Sequence, residues 1–300
     1  MATVQEYATR IAEILPETLP YELPRKGIAK FLHWAVISVL NKLPKKTAQL
    51  LFVFASGRGE ETRTVFNGAT TYEALEVMYT FPRKRALGKA TLSGRVWWSL
   101  LDNARSIWNR LLVVKHELRF TIGKVLARGE QVRLLSIGSG SARPVLETVC
   151  DLSPDTPIQV MLIDQDQKAI HFSKELAQEL HLNGTVEFVM GNFLKLIRRL
   201  TFQPNIVEMV GLLDYLEDRL AILLLKEIFH VLEPGGWLIT GNIAPNHERR
   251  FVERGINWLP MHHRTETQLK NLLFHAGFEE PRIQREPLSI HIVAVTRKPG

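Results

Sequence analysis

Cysteine is almost missing from this chain: Cys150 is the only one in 300 residues. A single thiol excludes an intramolecular disulfide and any multi-cysteine metal site. Long apolar runs are missing too. The richest early one, Phe31 to Leu40 (FLHWAVISVL), is far too short to cross a bilayer. The opening MATVQEYATRIAEILPETLP carries acids and prolines where a secretory leader would place an apolar stretch. There is no internal repeat and no low-complexity tract. These absences lead us to expect a cytoplasmic globular protein. Acidic charge is scarce only in the front part. Residues 1–130 hold 20 Lys+Arg against 11 Asp+Glu, a net +9, whereas residues 131–300 hold 18 against 20, a net −2. Such a basic front suits an anionic substrate, a membrane surface or nucleic acid, and equally an ordinary solvated helical surface.

The front part reads as mainly helical. An amphipathic pattern starts the chain and is broken by Pro16, Pro20 and Pro24. Helices are expected from Lys26 to Leu43, where Ile28, Phe31, Leu32, Ala35, Val36 and Val39 recur at helical spacing, and then from Thr47 to Phe54. SGRGEETRTVFNGAT reads as loop, followed by helices at Thr71–Tyr79, Ser93–Leu100 and Ala104–Leu126. After Gly129 the pattern changes. Short aliphatic runs at 132–138, 158–164, 186–192, 205–211, 236–242 and 290–298 alternate with helical segments at 143–150, 167–181, 193–200, 216–232 and 265–276. That alternation is the signature of a parallel, doubly wound α/β sheet.

The chemistry gathers where those strands end. The first runs into LLSIGSGSARPVLE, placing Gly138 and Gly140 in a strand-to-helix turn. Glycine there lets the backbone approach a ligand, and the helix start offers free N–H groups. The second ends at Asp164, 24 residues after Gly140, where an acid can accept from both hydroxyls of a ribose; Asp166 competes for the role but lies beyond the strand. The third ends in VMGNFLKL. There Asn192 can meet an adenine amino group and Phe193 can cover the ring, or the two simply form a turn. The fourth runs into VGLLDYLED, and Pro234-Gly235-Gly236 turns the next helix back into the fifth strand.

In this order of elements the sequence resembles the class I S-adenosylmethionine-dependent methyltransferases, across residues 131–298. The resemblance implies a Rossmann-like, mostly parallel seven-stranded sheet ending in a β-hairpin, preceded by a helical region over residues 1–130. It implies S-adenosylmethionine as cofactor, with S-adenosylhomocysteine as product. The implied cofactor-binding set is Ser136, Gly138, Ser139, Gly140, Asp164, Gln165, Gly191, Asn192, Phe193 and Val210. Two positions depart from the pattern. Ser136 stands where an acid is usual, and Ala142 replaces the third glycine. The missing acid removes one expected contact to the methionine end of the donor. The segment from Gly211 to Glu253, with HHRTETQLKNLLFHAGF after it, is also similar to bacterial methyltransferases that form methyl esters of hydroxy fatty acids; those share a helix like Asn109 to Arg119.

A small or fatty-acid-like acceptor is therefore expected. A carboxylate acceptor needs no base, because it is ionised at neutral pH, but it does need a cationic clamp. Arg143, Arg110 and Lys115 are the candidates, and each has an ordinary surface reading beside the functional one. Trp34, Trp97, Trp98 and Trp108 can line an acyl channel or simply fill a core. Asp214 and Tyr215 sit at the reactive sheet edge, with helix capping as the plain alternative for Asp214. His247, Glu248, His262 and His263 match no standard ligand spacing, so no metal is expected. Peripheral membrane contact is compatible with this reading; a membrane span is not expected. Three rivals remain: a nicotinamide oxidoreductase, a nucleic-acid or protein methyltransferase, and a non-catalytic binding protein. Nucleic acid is disfavoured because VGLLDY replaces the [DN]PP[FY] loop after strand four.

Overall fold

The computed structural model describes residues 19–300, except 57–58, 183, 198–199 and 201–202. The amphipathic pattern over the first residues lies outside the described residues. The front part is helical: α1 (Gly27–Lys42), α2 (Lys45–Ser56), α3 (Glu60–Asn67), α4 (Tyr72–Ala86), α5 (Leu92–Leu100) and α6 (Asp102–Leu126). Helix α3 corrects the reading of that stretch as loop. Glu60 and Glu61 open it, where acids complement the helix dipole, and Glu61, Thr62 and Val65 face inward. Glu61 also accepts a hydrogen bond from Thr91 Oγ1 at 2.9 Å, and Thr91 in turn caps α5 by accepting from Gly94 N. These contacts are remote in sequence, so the local pattern did not reveal them.

The second half alternates as expected: β1 (Val132–Ile137), α7 (Arg143–Cys150), β2 (Ile158–Asp164), α8 (Gln167–Glu179), β3 (Val186–Met190), a short α9 (Phe193–Leu196) and β4 (Ile206–Met209). Then come a 3-10 turn (Leu213–Tyr215), α10 (Asp218–Val231), β5 (Trp237–Ile243), α11 (Arg249–Gly255), α12 (Glu266–Ala276), β6 (Arg282–Arg285) and β7 (His291–Arg297). Helix α9 spans Phe193–Leu196, and residues 198–199 of the expected 193–200 lie outside the described residues; α11 is an element the sequence reading did not include. The α12 boundaries were legible. Thr265 and Gln268 form a reciprocal capping box, and Gly277 ends the helix in the left-handed region at φ 101°.

The sheet order is β3-β2-β1-β4-β5-β7-β6, with β7 antiparallel to both neighbours, the expected hairpin. Alternate residues divide between two faces. Leu135, Ile137, Val207 and Met209 pack with α10 and α12; Leu134, Leu162, Ile206 and Ile239 pack with α6, α7 and α8. Helix α6 therefore belongs to both halves. Val114, Leu118, Ile122 and Val125 lie on the sheet, while Ala104, Ile107, Trp108 and Leu111 join a third core with the front helices. That third core reaches across to Ile243, Phe251 and Trp258 of the second half.

Candidate active site

The sheet order reverses between β1 and β4, so the chain leaves the adjacent tips of these strands in opposite directions and opens a crevice there. Gly138 and Gly140 adopt φ of 63° and 54° beyond the β1 tip. Ala142, at φ 52°, holds a left-handed conformation that the family pattern leaves to glycine. Asp164 ties two strand tips together. Its Oδ2 accepts from Gly140 N at 2.7 Å and its Oδ1 from Asp166 N at 2.9 Å. Gly191 N donates to the Asp164 carbonyl, bringing the β3 tip alongside, and Asn192 Oδ1 caps α9 by accepting from Leu194 N.

These residues line one end of a cavity of about 540 Å³. Gly138, Gly140, Asp164, Gln165, Gly191, Asn192, Phe193 and Val210 share that wall, with Tyr72 of α4 facing them. The cavity continues into a chamber of apolar side chains from distant segments: Met78, Leu101, Ile107, Ile243, Val252, Trp258 and Met261. Arg110, Asp214, Tyr215 and His291 are among the few polar groups in its lining.

The electrostatics of that polar group are unusual. Arg110 is buried, donates to Tyr79 Oη at 3.3 Å, and stands 4.0 Å from Asp214. Burial pushes the Asp214 carboxyl up to about 6, against the pull of Arg110, the Ile243 N–H and Arg264. Tyr215 is pushed up to about 12, by burial first and by Asp214 second, so its hydroxyl stays protonated. Its oxygen accepts from Trp258 Nε1 at 2.9 Å, which leaves its own proton to be donated. His291 is held well below the usual imidazole range by burial, with Arg110 and His263 adding to the effect.

The sequence pattern of a family described as "Putative methyltransferase" matches residues 46–298. The chain belongs to that family. None of the curated proteins matches it closely enough to count as a relative. Among solved structures it is similar to a "possible exported protein" of Bordetella parapertussis, at 16% identity and TM-score 0.60, covering 86% of this chain and 98% of that one. It is also similar to the magnesium protoporphyrin IX methyltransferase of Synechocystis with bound SAM, at 12% identity and TM-score 0.50, covering 81% and 99%. A third is a "putative O-methyltransferase" of Nostoc punctiforme, at 16% identity and TM-score 0.51, covering 75% and 71%. At these identities the likeness is one of fold.

Within this methyltransferase, three expected site residues lie away from the main cavity. Arg143 is placed elsewhere: its guanidinium makes paired bonds with Glu76 (Nε at 2.9 and 3.0 Å, Nη2 at 2.6 Å) and a further one with Glu147 at 2.9 Å. Buried and fully engaged, it has no face to offer an acceptor. Ser136 points into the sheet packing and donates to Glu208 Oε2 at 2.6 Å. Ser139 lines a smaller adjoining cavity instead. Lys115 is likewise used up, at 2.9 Å from Glu147 and 3.6 Å from Asp151. Asp214 does not cap α10. Its Oδ1 accepts from Ile243 N at 2.7 Å, fastening the turn after β4 to the end of β5.

The tryptophan channel is also corrected. Trp97, Trp98 and Trp108 fill the front core and Trp34 is exposed, while Trp258 is the one that reaches the chamber. His247 and Glu248 have structural partners: Glu248 accepts from the Asp102 and Asn103 N–H groups at the start of α6, and the His247 ring stacks on Trp34. Glu248 also gathers His33 and Asp102 within 4.8 Å, but Arg25 and Arg105 already bond that aspartate. Sequence reasoning missed His291 and Glu208 altogether. Glu208 is a single acid inside a buried strand and His291 opens another, and neither has a spacing signature to mark it.

Proposed function

We propose that this chain transfers a methyl group from S-adenosylmethionine to the carboxylate of a small, largely apolar or fatty-acid-like acceptor. The observation that carries the reading is one continuous cavity of about 540 Å³, running from the strand tips to an apolar chamber that holds Arg110 and Tyr215. The strand-tip residues fit the donor. A side chain at Gly140 would strain a left-handed backbone and lie 3.7 Å from Tyr72 Cβ, narrowing the space a ligand would use. Each Asp164 oxygen bonds one backbone N–H and keeps a lone pair for a ribose hydroxyl. Phe193 offers an apolar cover for a base, and Asn192 keeps its Nδ2 for a ring nitrogen.

The donor, once bound, supplies an already activated methyl group. The protein's task is to hold an oxygen in line with it and exclude water. Arg110 and the Tyr215 hydroxyl are both donors, the arrangement an anionic oxygen needs. A carboxylate requires no deprotonation at neutral pH. Residues 1–130 act in this reading as the acceptor cap and residues 131–300 as the donor domain. Helix α6 is shared between them, with Asn103, Ile107 and Arg110 facing the chamber. A peripheral membrane contact suits a lipid-like acceptor: α1 and α2 expose Phe31, Trp34, Val39, Leu50 and Phe54 beside Lys30, Lys42, Lys45 and Lys46. Among the described residues no helix is long and apolar enough to cross a membrane.

A second reading, a hydroxyl acceptor, has one observation in its favour. His291 is buried at the cavity wall, neutral, and its Nδ1 has no hydrogen-bond partner among the described residues. That is the state a general base requires. A labelled methyl-transfer screen over fatty acids, hydroxy fatty acids, phenols, peptides and RNA separates the two. A base-labile methyl ester whose formation survives His291→Asn supports the carboxylate; an ether product lost in that variant supports the hydroxyl. Calorimetry tests the donor. Asp164→Ala is expected to weaken S-adenosylmethionine binding by about 1.5–3 kcal/mol. Tight NAD binding without methyl-donor binding would sink the proposal.

A further inference from the structure

Position 136, where methyltransferases of this type usually carry an acid, is serine in this chain. An acid stands one strand away. Glu208 of β4 pairs with Ser136 of β1 in the parallel register, so the two side chains leave the same face of the sheet. Ser136 Oγ donates to Glu208 Oε2 at 2.6 Å, and Val210 N donates to Oε1 at 3.1 Å. The carboxylate is thus fixed by its neighbours, one strand over from position 136 and on the same face of the sheet.

Glu208 lines a second cavity, of about 50 Å³, which adjoins the main one and shares Gly138, Gly140, Val210 and Arg110 with it. That is space for roughly three or four water-sized groups. Ser139 also lines it, and the Ser139 Oγ is buried with no hydrogen-bond partner among the described residues. A buried hydroxyl without a partner, and a buried acid that makes no salt bridge among the described residues, are both costly in a finished protein. Both costs fall if a zwitterion sits between them.

We propose that this small cavity receives the amino-acid end of the methyl donor, with the Glu208 carboxylate pairing with the α-ammonium and the Ser139 hydroxyl donating to the α-carboxylate. The assignment rests on the donor reading given above and adds the residue that replaces the missing acid. The charged and titratable groups facing Glu208 are few. Arg110 reaches it from α6, Tyr79 of α4 lines the same cavity, and β1 contributes the neutral Ser136. Burial pushes the Glu208 carboxyl up to about 7, against the pull of its hydrogen bonds and of Arg110. An incoming ammonium needs the ionised form, so affinity for the amino-acid end increases as pH rises through that value.

The test is calorimetry on the full chain with two nucleosides, S-adenosylhomocysteine and 5′-methylthioadenosine, which lacks the amino-acid end. Wild-type protein is expected to bind S-adenosylhomocysteine about tenfold more tightly at pH 8 than at pH 6, with no such change for methylthioadenosine. Glu208→Gln should lower S-adenosylhomocysteine affinity at least twentyfold at pH 8, remove its pH dependence, and leave methylthioadenosine within twofold. Ser139→Ala, at a partly exposed loop position, should cost about fivefold on S-adenosylhomocysteine alone. Methylthioadenosine serves as the folding control for both variants. If Glu208→Gln binds S-adenosylhomocysteine as wild type does, or loses both nucleosides equally, the assignment of Glu208 is overturned and the donor reading survives. Wild-type protein that binds neither nucleoside overturns the donor reading, and this assignment with it.

Discussion

At the strand tips the cavity wall is mostly backbone: Gly138 and Gly140 turn left-handed, and Asp164 spends one bond from each oxygen on main-chain N–H groups. At the other end the wall is side chains drawn from α4, α6, β5, α11, the segment after α11, and β7. The first end is local in design. Each strand delivers its residue at a fixed place because the parallel register aligns the tips, so short sequence signals suffice to find it. The second end exists only through packing of segments far apart in the chain. Its chemistry follows from which polar groups happen to be buried together. A cofactor shared by many enzymes suits the first construction, and an acceptor particular to one enzyme suits the second.

A buried ion pair joins α7, the helix that follows the glycine turn, to α4, and the largest expected effect comes from cutting it. Arg143 of α7 holds Glu76 of α4, and also Glu147 in its own helix. Arg143→Met leaves Glu76 buried without its cation and should cost about 3–5 kcal/mol of stability in denaturant unfolding. Were Arg143 an acceptor clamp instead, the variant would lose turnover while keeping its unfolding midpoint. That outcome would break the division drawn here between joint and chamber.

The contrast also explains what was legible beforehand. The β1 glycine turn, the Asp164 position and the alternation of strands and helices are periodic or punctuated features, and each lies where it was expected. The α12 capping box is a four-residue signal that the structure uses as such. Arg143 looked available because its sequence neighbours are the glycine loop; its true partner, Glu76, is 67 residues away. The stretch containing α3 looked like loop because glycines flank it, and only the Glu61–Thr91 contact and inward packing show otherwise. Glu208 lies in VEMVG, where a single acid in an apolar run carries no period to read. Its meaning appears only beside Ser136, on the adjacent strand.

A middle-sized effect concerns pH. Glu208 keeps its proton in the folded chain up to about 7, against an ordinary value of 4.5. Between those values the native state holds one more proton than the unfolded chain, so stability falls as pH rises through the window and levels off above it. Glu208→Gln removes that loss. It is expected to unfold at higher denaturant than wild type at pH 8, by about 1–3 kcal/mol, with the difference fading towards pH 5. The strand-tip end would then be less stable for having a donor site, a trade that a wild-type midpoint indifferent to pH between 5 and 8 would contradict.

The smallest effect should come from Trp258→Phe. The indole ring packs in the chamber wall, and its Nε1–H is the donor to Tyr215 Oη at 2.9 Å. Phenylalanine keeps most of the apolar surface and deletes one neutral hydrogen bond, a loss of about 1 kcal/mol. Tyr215 would then be free to rotate its hydroxyl, so the anchoring of the acceptor oxygen should loosen while the strand tips stay as they were. Steady-state kinetics should show acceptor KM raised about fivefold, with S-adenosylhomocysteine affinity held within twofold. Equal losses on both ligands would mean that the two ends of the cavity communicate through Trp258. The chamber would then have to be treated as part of the donor site.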